Sequence, residues 1–474
     1  GDHRDLHSFP TRRSSDLDPI NLATGTFSYD NLDLAFGGLF PLQFTTYYNT
    51  YTPIQAENEF YDGKPMGNRW NHVYNTRIAK NEQEGKVYVL WGSGAIDVFQ
   101  IPNGITGNYQ MDGVYNGTRL YFSANLVYTL TLKNQTRYQF SQNGTLTQII
   151  SPIGNTISVT YSSNRLHQVT DNQNGQWFQF AYNNDGCING VTDSTGRQIS
   201  YTYDNGDLVT YTDPLGKTRT YTYWNSGGLE QKSLMKTGTD QNGHVFVYNE
   251  YESYDDGGTT KYRVTFQQDP NAYAASQAQP SQRYGISITY EETTEADQDI
   301  VIATVDDNMG YQTVYKSVKA NGNTLSTVTT LEDGNIYQTT YTYDAFNNRL
   351  TETTYEGPAS QVDTQVGNTK TYTYDGNLNL LTISYPSPIG QVEAYTYYDN
   401  NLVKTQTDFL GNTMHYEYYS DNTLKQVTDY LGRTTTYTYV SGSVKGLVQT
   451  QTDALGNVFT YTYNQDELDT ETSP

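Results

Sequence analysis

Tyrosine and threonine alternate in short runs along much of the chain. In the run Thr434–Tyr439, every second residue is on the same side of an extended strand, so Tyr437 and Tyr439 share one face and the intervening Thr436 and Thr438 share the other. Both residue types favour strands. The pattern therefore predicts short strands with a tyrosine face, and it recurs at 201–203, 221–223, 395–397, 416–418 and 461–463.

A turn motif precedes these runs. Asp213-Pro-Leu-Gly216 fits a type I turn, in which Asp caps the first position, Pro presets φ at the second and Gly closes the turn. The glycines of such motifs are 21, 21 and 20 residues apart in one block and 21, 21 and 24 apart in another. The two sets are Gly154, Gly175, Gly196 and Gly216, then Gly390, Gly411, Gly432 and Gly456.

A second turn follows each tyrosine run, as at 204–207, and leads into a short strand such as the one at Leu208. Each unit of about 20 residues is thus one β-hairpin, and successive units predict a meander. No segment has a sustained helical period with caps, so no helix is predicted. The predicted fold class is all-β, a tandem hairpin meander.

The repeat pattern divides the chain into segments. Residues 18–150 carry few repeat marks and are predicted to be an N-terminal β domain that covers the first edge of the array. Clear repeats occupy 151–224 and 311–474, and 225–310 are predicted to be irregular repeats or an insertion with long hairpins. Residues 1–17 are interpreted as a sequencing-adapter artefact and left out of the fold prediction.

Composition narrows the class of protein. The net charge of −23 disfavours binding to nucleic acid or to an anionic membrane surface. The 46 Tyr and 16 Phe supply burial that a disordered chain lacks. No apolar run is long enough to predict a membrane-spanning helix, and the single cysteine rules out a disulfide framework within the chain.

A search for catalytic, nucleotide-binding and metal-binding motifs gives no candidate site. Histidines occur singly in different units, no nucleophile elbow or phosphate loop is present, and acidic pairs such as Asp255 and Asp256 lack calcium-loop spacing. Cys187 is interpreted as a buried small side chain. No catalytic, cofactor-binding or metal-ligating residue is predicted, and the histidines outside residues 1–17 are His72, His167, His244 and His415.

The tyrosine face allows two interpretations. Tyrosines can stack on sugars, which would indicate a carbohydrate-binding surface. They can also pack across strands with Tyr and Thr, at about 0.2–1 kcal/mol per pair. Packing is favoured because the tyrosines follow the repeat period and do not form one local patch.

These motifs resemble a known family. Gly-x(4)-Tyr-x-Tyr-Asp at this spacing resembles the YD repeat of the Rhs (rearrangement hotspot) proteins. The opening residues resemble the domain that begins the repeat region of that family, at 18–25 (DPINLATG), 39–42 (LFPL), 47–49 (YYN), 67–70 (GNRW) and 91–94 (WGSG).

The resemblance implies a hollow spiral β shell, related to insecticidal toxin-complex shells and teneurins, that encloses a C-terminal toxin domain. A self-cleaving core segment with a motif like R-Y-Y-D-P-x-x-G-R-F precedes the toxin in that family. This motif is absent here, so the chain is expected to be truncated before the core and the toxin.

The expected function is therefore structural and not enzymatic: a β-shell fragment of a secreted or cell-surface polymorphic toxin that serves bacterial competition. Its expected partner is its own C-terminal toxin domain. The alternative is a cell-surface adhesin or carbohydrate-binding repeat protein.

Overall fold

The structure is a computed structural model that describes residues 20–50, 64–102, 106–112, 116–226, 228, 232–279, 284–307, 310–331, 333–361, 368–442, 444–464 and 467–473. The predicted artefact at 1–17 lies outside these residues.

The chain begins with a small antiparallel sheet, which we call the N-terminal sheet. Its strands are β1 (Ile20–Asn21), β2 (Thr26–Ala35), β3 (Gln43–Asn49) and β4 (Trp70–His72), paired in chain order. A single 3-10 turn at Val73–Asn75 follows and leads into the second sheet.

The second sheet contains the rest of the described strands. Its first part consists of β5 (Arg77–Asn81), β6 (Lys86–Leu90), β7 (Ile96–Gln100), β8 (Gly107–Met111), β9 (Arg119–Phe122), β10 (Tyr128–Thr131), β11 (Arg137–Phe140), β12 (Leu146–Ile150), β13 (Thr156–Ser162), β14 (Arg165–Asp171), β15 (Trp177–Tyr182), β16 (Ile188–Asp193), β17 (Gln198–Asp204), β18 (Asp207–Thr212), β19 (Thr218–Tyr223), β20 (Met235–Thr239), β21 (Val245–Asp256) and β22 (Thr259–Gln268).

The same sheet continues to the end of the chain. The remaining strands are β23 (Ile286–Glu295), β24 (Gln298–Asp306), β25 (Gln312–Val318), β26 (Thr324–Thr330), β27 (Ile336–Tyr343), β28 (Arg349–Gly357), β29 (Asn368–Tyr374), β30 (Leu380–Ser384), β31 (Val392–Tyr397), β32 (Val403–Thr407), β33 (Thr413–Tyr418), β34 (Leu424–Thr428), β35 (Thr434–Tyr439), β36 (Val448–Thr452), β37 (Val458–Asn464) and β38 (Glu467–Thr472).

Every strand from β5 to β38 pairs antiparallel with the next strand in the sequence, for example β33 with β34 and β34 with β35. The predicted all-β hairpin meander is therefore confirmed. Where the connection is a turn of two to five residues, consecutive pairing follows from its length, since so short a turn can join only neighbouring antiparallel strands.

The turn motif has the predicted geometry. The Asp213 side chain accepts hydrogen bonds from the backbone N–H groups of Leu215 (2.8 Å) and Lys217 (2.9 Å), and the N–H of Gly216 donates to the Asp213 carbonyl at 3.0 Å. Gly216 has φ +77, a conformation that glycine adopts without strain. The same contacts recur at Asp408, Asp429 and Asp453. The pKa of each carboxyl is lowered, chiefly by a side-chain hydrogen bond from Asn412, Arg433 or Asn457 and further by these backbone bonds.

The sheet returns on itself. We call residues 119–268 the first winding and residues 336–464 the second winding. Turns of the second winding bond to turns of the first: Lys133 Nζ donates to the Leu378 carbonyl at 2.6 Å, and Asn422 Nδ2 donates to the Pro152 carbonyl at 2.9 Å. Asn155 bonds Lys445 twice, each at 2.9 Å. These contacts stack the rim of one winding on the rim of the other.

The main core lies between the N-terminal sheet and the first winding. Phe27, Phe44 and Tyr48 of the N-terminal sheet are fully buried, as are Phe140 and Phe178 of the first winding. The N-terminal sheet thus covers the tyrosine face of the first winding. The edge of β5 that does not pair with β6 is hydrogen-bonded to the turn before β12, where the Ile78 N–H donates to the Gly144 carbonyl at 2.8 Å.

One feature differs from the sequence prediction. A helix, α1 (Pro270–Ala278), lies within the segment 225–310, where no helix was predicted. Its start signal is present in the sequence, because Asp269 accepts a hydrogen bond from the Ala272 N–H at 2.7 Å and Pro270 opens the first turn. Its lack of buried side chains explains why no apolar periodicity marked it.

The N-terminal segment extends beyond the N-terminal sheet. Strands β5–β12 belong to the same sheet as the repeats, so residues 18–150 contribute to both sheets. The boundary at residue 150 stays a prediction. Long strands do occur in 225–310, where β21–β22 and β23–β24 are hairpins of 12 and 10, then 10 and 9 residues.

Candidate functional site

The histidines lie apart from one another. His167, His244 and His415 are exposed in different hairpins. His72 is buried against Phe44, and burial lowers the pKa of its imidazole to about 3. His72 is therefore neutral and part of the core.

Cys187 is buried, as expected, and its Sγ donates to the Lys64 carbonyl at 3.3 Å. Burial raises the pKa of this thiol, which keeps it protonated. The acidic pair at 255–256 contributes to an ion-pair cluster: Asp256 contacts Lys261 and, at 2.8 Å, Lys319. Within the ranges that the structure describes, no group of His, Cys, Asp and Glu side chains is arranged to hold a metal ion.

The recurring chemical feature of the fold is the pair of tyrosines in each unit. The second tyrosine of the pair, such as Tyr439, lies at a β-bulge, where the register shifts between Thr438 and Tyr439. Its hydroxyl donates to the Leu424 carbonyl of the preceding unit at 2.6 Å. Leu424 is paired with Tyr418 of β33, but the β34–β35 pairing begins only at Gln426, so on the β35 side the Leu424 carbonyl lies beyond the ladder and Tyr439 bonds it there.

We call this bond the tyrosine clasp. It repeats along the sheet at 2.6–2.9 Å from Tyr182 to Leu166, Tyr203 to Ile188, Tyr223 to Leu208, Tyr251 to Met235, Tyr290 to Val264, Tyr343 to Thr324, Tyr374 to Arg349, Tyr397 to Leu380, Tyr439 to Leu424 and Tyr463 to Val448. The clasp explains why the second position is tyrosine, because phenylalanine would fill the same space without bonding the carbonyl.

Replacing Tyr439 by phenylalanine is expected to lower the free energy of unfolding by about 0.5–1.5 kcal/mol, because it leaves the Leu424 carbonyl without its partner. Chemical unfolding and amide hydrogen exchange of β34 and β35 measure the effect. The matched control is Tyr437→Phe in the same strand, whose hydroxyl has no hydrogen-bond partner among the described residues. Equal losses for the two variants would contradict the clasp.

The first tyrosine of the pair has a different role. In the first winding it contacts the N-terminal sheet: Tyr201 and Tyr221 are each 3% exposed. The Tyr201 hydroxyl donates to Asp33 Oδ2 at 2.6 Å. The Tyr221 ring lies 4.8 Å from the Trp70 ring and 6.1 Å from the Tyr29 ring.

Asp33 is the polar centre of this contact. Thr46 Oγ1 donates to its carboxylate at 2.8 Å, Asn31 Nδ2 also donates to it, and the Tyr211 hydroxyl donates to its backbone carbonyl at 3.1 Å. Burial raises the pKa of the Asp33 carboxyl to about 6, although these hydrogen bonds and the nearby Arg219 act in the opposite direction.

Further bonds fasten the N-terminal sheet to the first winding. The Tyr48 hydroxyl donates to the Ser233 carbonyl at 2.9 Å and accepts from the Met235 N–H at 2.8 Å. Asn68 Nδ2 donates to Asp207 at 2.9 Å. The N-terminal sheet is therefore an integral cover of the first winding.

In the second winding the same face has no cover among the described residues. We call the first tyrosines there, with the residues paired opposite them, the uncovered row. Residues directly opposite one another on three successive strands lie on the same face of the sheet. The row contains three such sets: Tyr395, Gln406 and Met414; Tyr416, Val427 and Thr435; and Tyr437, Gln451 and Phe459. Tyr461 continues the row in β37, and all of these side chains are partly exposed.

The sequence predicted the tyrosine face and its packing. It did not predict that this face is covered in the first winding and uncovered in the second. The contacts between Asp33 and Tyr201 or between Tyr48 and Ser233 join residues 168 and 185 positions apart, and no local pattern encodes them. A signal for the clasp was present, because the second tyrosine of a pair such as Tyr437 and Tyr439 ends its strand one turn before the next short strand, and its hydroxyl bonds the strand that precedes its own.

Fold and site together define a tandem β-hairpin wall with one aromatic face. Residues 17–99 match a family model described as a domain of unknown function (DUF6531). No curated protein matches the sequence. The matched segment contains the opening motifs that carry the Rhs resemblance.

Solved structures resemble the fold at low identity. The crystal structure of TcdB2-TccC3 without its hypervariable C-terminal region is 12% identical, with 92% of this chain and 26% of that chain covered and a TM-score of 0.43. The TcdB2-TccC3-Cdc42 structure is 11% identical, with 94% and 25% covered and a TM-score of 0.42. A Tc holotoxin pore of Photorhabdus luminescens is 10% identical, with 80% and 22% covered and a TM-score of 0.26.

The chain spans about a quarter of the length of the first two of these chains. From its repeat motif, its matched opening domain and its hairpin meander, the chain is similar to the Rhs and YD-repeat proteins. No helix in the described part of the chain is long and apolar enough to cross a membrane.

Proposed function

We propose that this chain is part of the wall of an Rhs-type shell that encloses a C-terminal toxin domain. The observation that carries the proposal is the stacking of two windings of one continuous sheet, bonded rim to rim through Lys133, Asn155 and Asn422. A sheet that pairs at every strand and stacks at its rims leaves few gaps for a protease or a solute. Its function is to separate a cargo from the cell that makes it.

The proposed shell acts by sequestration and needs no catalytic residue. Ladder hydrogen bonds and tyrosine clasps distribute its stability over the units, so the wall resists local opening. The one-sided N-terminal cover supports a second element of the proposal: the first winding is filled by the chain itself, and the second winding has room for another polypeptide. Secretion or display at the cell surface in competition between bacteria belongs to the same proposal.

Protease protection tests the proposal. An unstructured polypeptide with several protease sites is fused after Pro474 of the full chain, and its cleavage rate is compared with that of the same polypeptide added in trans. We expect the fused polypeptide to be cut at least about tenfold more slowly, in line with a rise of about 1.4 kcal/mol in the cost of exposing it. Equal rates would reject enclosure.

A carbohydrate-binding function is the second candidate, because tyrosine, glutamine and threonine side chains in the uncovered row combine ring faces with amide and hydroxyl groups. Oligosaccharide binding that disappears in a Tyr416→Ser, Tyr437→Ser variant would support it. Binding that survives this double change would place any sugar site elsewhere.

A further inference from the structure

The uncovered row has a covered counterpart in the same molecule. In the first winding, β2 lies against the tyrosine face and crosses the strands of the sheet: Tyr29 contacts Tyr221, and Asp33, four residues later, contacts Tyr201. Tyr201 and Tyr221 belong to β17 and β19, two strands apart. Four extended residues cover about 13 Å and two strand spacings about 10 Å, so a strand that crosses obliquely meets one tyrosine per unit.

We propose that the uncovered row of the second winding binds an extended, uncharged polypeptide segment with aromatic and aliphatic side chains, in the way that the first winding binds β2. The inference rests on the proposed function and deepens it, since the occupant is a segment of the enclosed cargo. The two faces share their construction, because second tyrosines such as Tyr223 and Tyr439 form clasps and the first tyrosines lie beside them on the same face.

The hydroxyl groups of the first tyrosines are available to such an occupant. Tyr395 donates to Glu393 at 3.2 Å and Tyr416 to Gln406 at 3.3 Å, both of them side-chain bonds at the partly exposed surface. Neither bond holds a backbone carbonyl of the wall. A bound peptide can therefore exchange these bonds for its own carbonyl groups without breaking the sheet.

Charge decides which kind of segment fits. In the first winding, Arg219 is paired opposite Tyr211 on the tyrosine face and lies close enough to Asp33 to lower its pKa. From Gln406 to Phe459 the paired residues of the uncovered row include no charged side chain. Carboxylates flank its two ends, where Glu393 bonds Tyr395 and Glu471 is paired opposite Tyr461. Burying a charge of either sign against the uncharged middle of the row would be costly, and the end carboxylates repel an acidic segment, so an uncharged segment is favoured.

The length of the row sets the length of the occupant. Four first tyrosines, from Tyr395 to Tyr461, span three units and hence about six strand spacings, or about 29 Å. An extended peptide of about ten residues covers most of this distance. The strand β2 itself, Thr26–Ala35, has 10 residues and supplies a natural probe.

The test uses the full chain and a fluorescently labelled peptide with the sequence of Thr26–Ala35 carrying D30N and D33N. Fluorescence anisotropy measures its dissociation constant. A variant with Tyr416→Ser and Tyr437→Ser is expected to bind at least about tenfold more weakly, because two ring contacts are lost. These tyrosines do not touch β2, so the loss assigns binding to the uncovered row and not to exchange with β2.

The matched control is Thr436→Ser with Thr438→Ser, on the opposite face of β35, and it is expected to bind as the parent does. Circular dichroism checks that both variants fold, and protection of β33 and β35 amides from hydrogen exchange by the peptide gives a readout in the parent chain. Absence of peptide binding, equal binding by the tyrosine variant, or binding of maltohexaose in place of the peptide would overturn the proposal.

The two proposals fail separately. Peptide binding without protease protection of a fused cargo leaves the row as a binding surface and removes enclosure. Protection without peptide binding leaves enclosure and removes the row as its contact surface.

Discussion

Replacing Trp70 by alanine is expected to lower the free energy of unfolding by about 3–5 kcal/mol, the usual cost of removing a large buried aromatic side chain. Trp70 is 2% exposed and lies between the two sheets. Its ring is 5.5 Å from that of Tyr48 and 4.8 Å from that of Tyr221, and its Nε1 donates to the Tyr223 hydroxyl at 2.8 Å. The change removes contacts on both sides of the interface at once.

Chemical unfolding measures the loss, and limited proteolysis locates it. Because Trp70 joins the N-terminal sheet to the first winding, the alanine variant should be cut first within residues 20–76. The matched variant Trp70→Phe keeps a ring in the interface and loses the bond to Tyr223, so a smaller loss is expected. An alanine variant that unfolds like the parent chain would mean that the N-terminal sheet is not fastened through this residue.

Acidification from pH 7 to pH 4.5 is expected to stabilise the parent chain relative to its Asp33→Asn variant by about 2 kcal/mol. The Asp33 carboxyl has a pKa of about 6 in the folded chain, raised from 3.8. Between these values the folded state holds a proton that the unfolded state has released. The contribution of Asp33 to stability is therefore highest below pH 4, falls as the pH rises to 6 and is constant above it.

The comparison with Asp33→Asn isolates this group, because asparagine has nearly the shape of a protonated aspartate and does not titrate. The carboxyls of Asp408 and Asp429 have lowered pKa values and lose their contribution only at lower pH, equally in both proteins. Stability curves against pH measured by chemical unfolding test the prediction. Parallel curves for the two proteins would show that Asp33 does not carry a raised pKa.

The proposed functions depend on what the tyrosine face of the second winding contacts. In the first winding, the N-terminal sheet shows how a polypeptide packs on this face. The Trp70 and Asp33 variants test those packing contacts, and the peptide experiment tests whether the uncovered row of the second winding binds a polypeptide in the same way. Together they separate the stability of the wall from its capacity to bind.

The sequence by itself determined the local construction of this protein. Alternation of tyrosine with threonine, and Asp-x-Leu-Gly turns at a spacing of about 20 residues, predicted the strands, their tyrosine face and the consecutive pairing. These features depend on residues close together in the chain. The helix α1 was missed although its Asp269-Pro270 cap is local, because its exposed surface carries no apolar period.

Only the tertiary structure decided which tyrosines are covered. Tyr201 and Tyr437 occupy the same position of their units, yet one is buried against Asp33 and the other lies on an open face. The difference arises because the N-terminal sheet packs on the first winding through contacts more than 150 residues apart, such as Trp70 with Tyr223. A repeated local pattern carries no information about such contacts, since every unit has the same tyrosine face. Which units are covered depends on where the path of the whole sheet brings them against the N-terminal sheet.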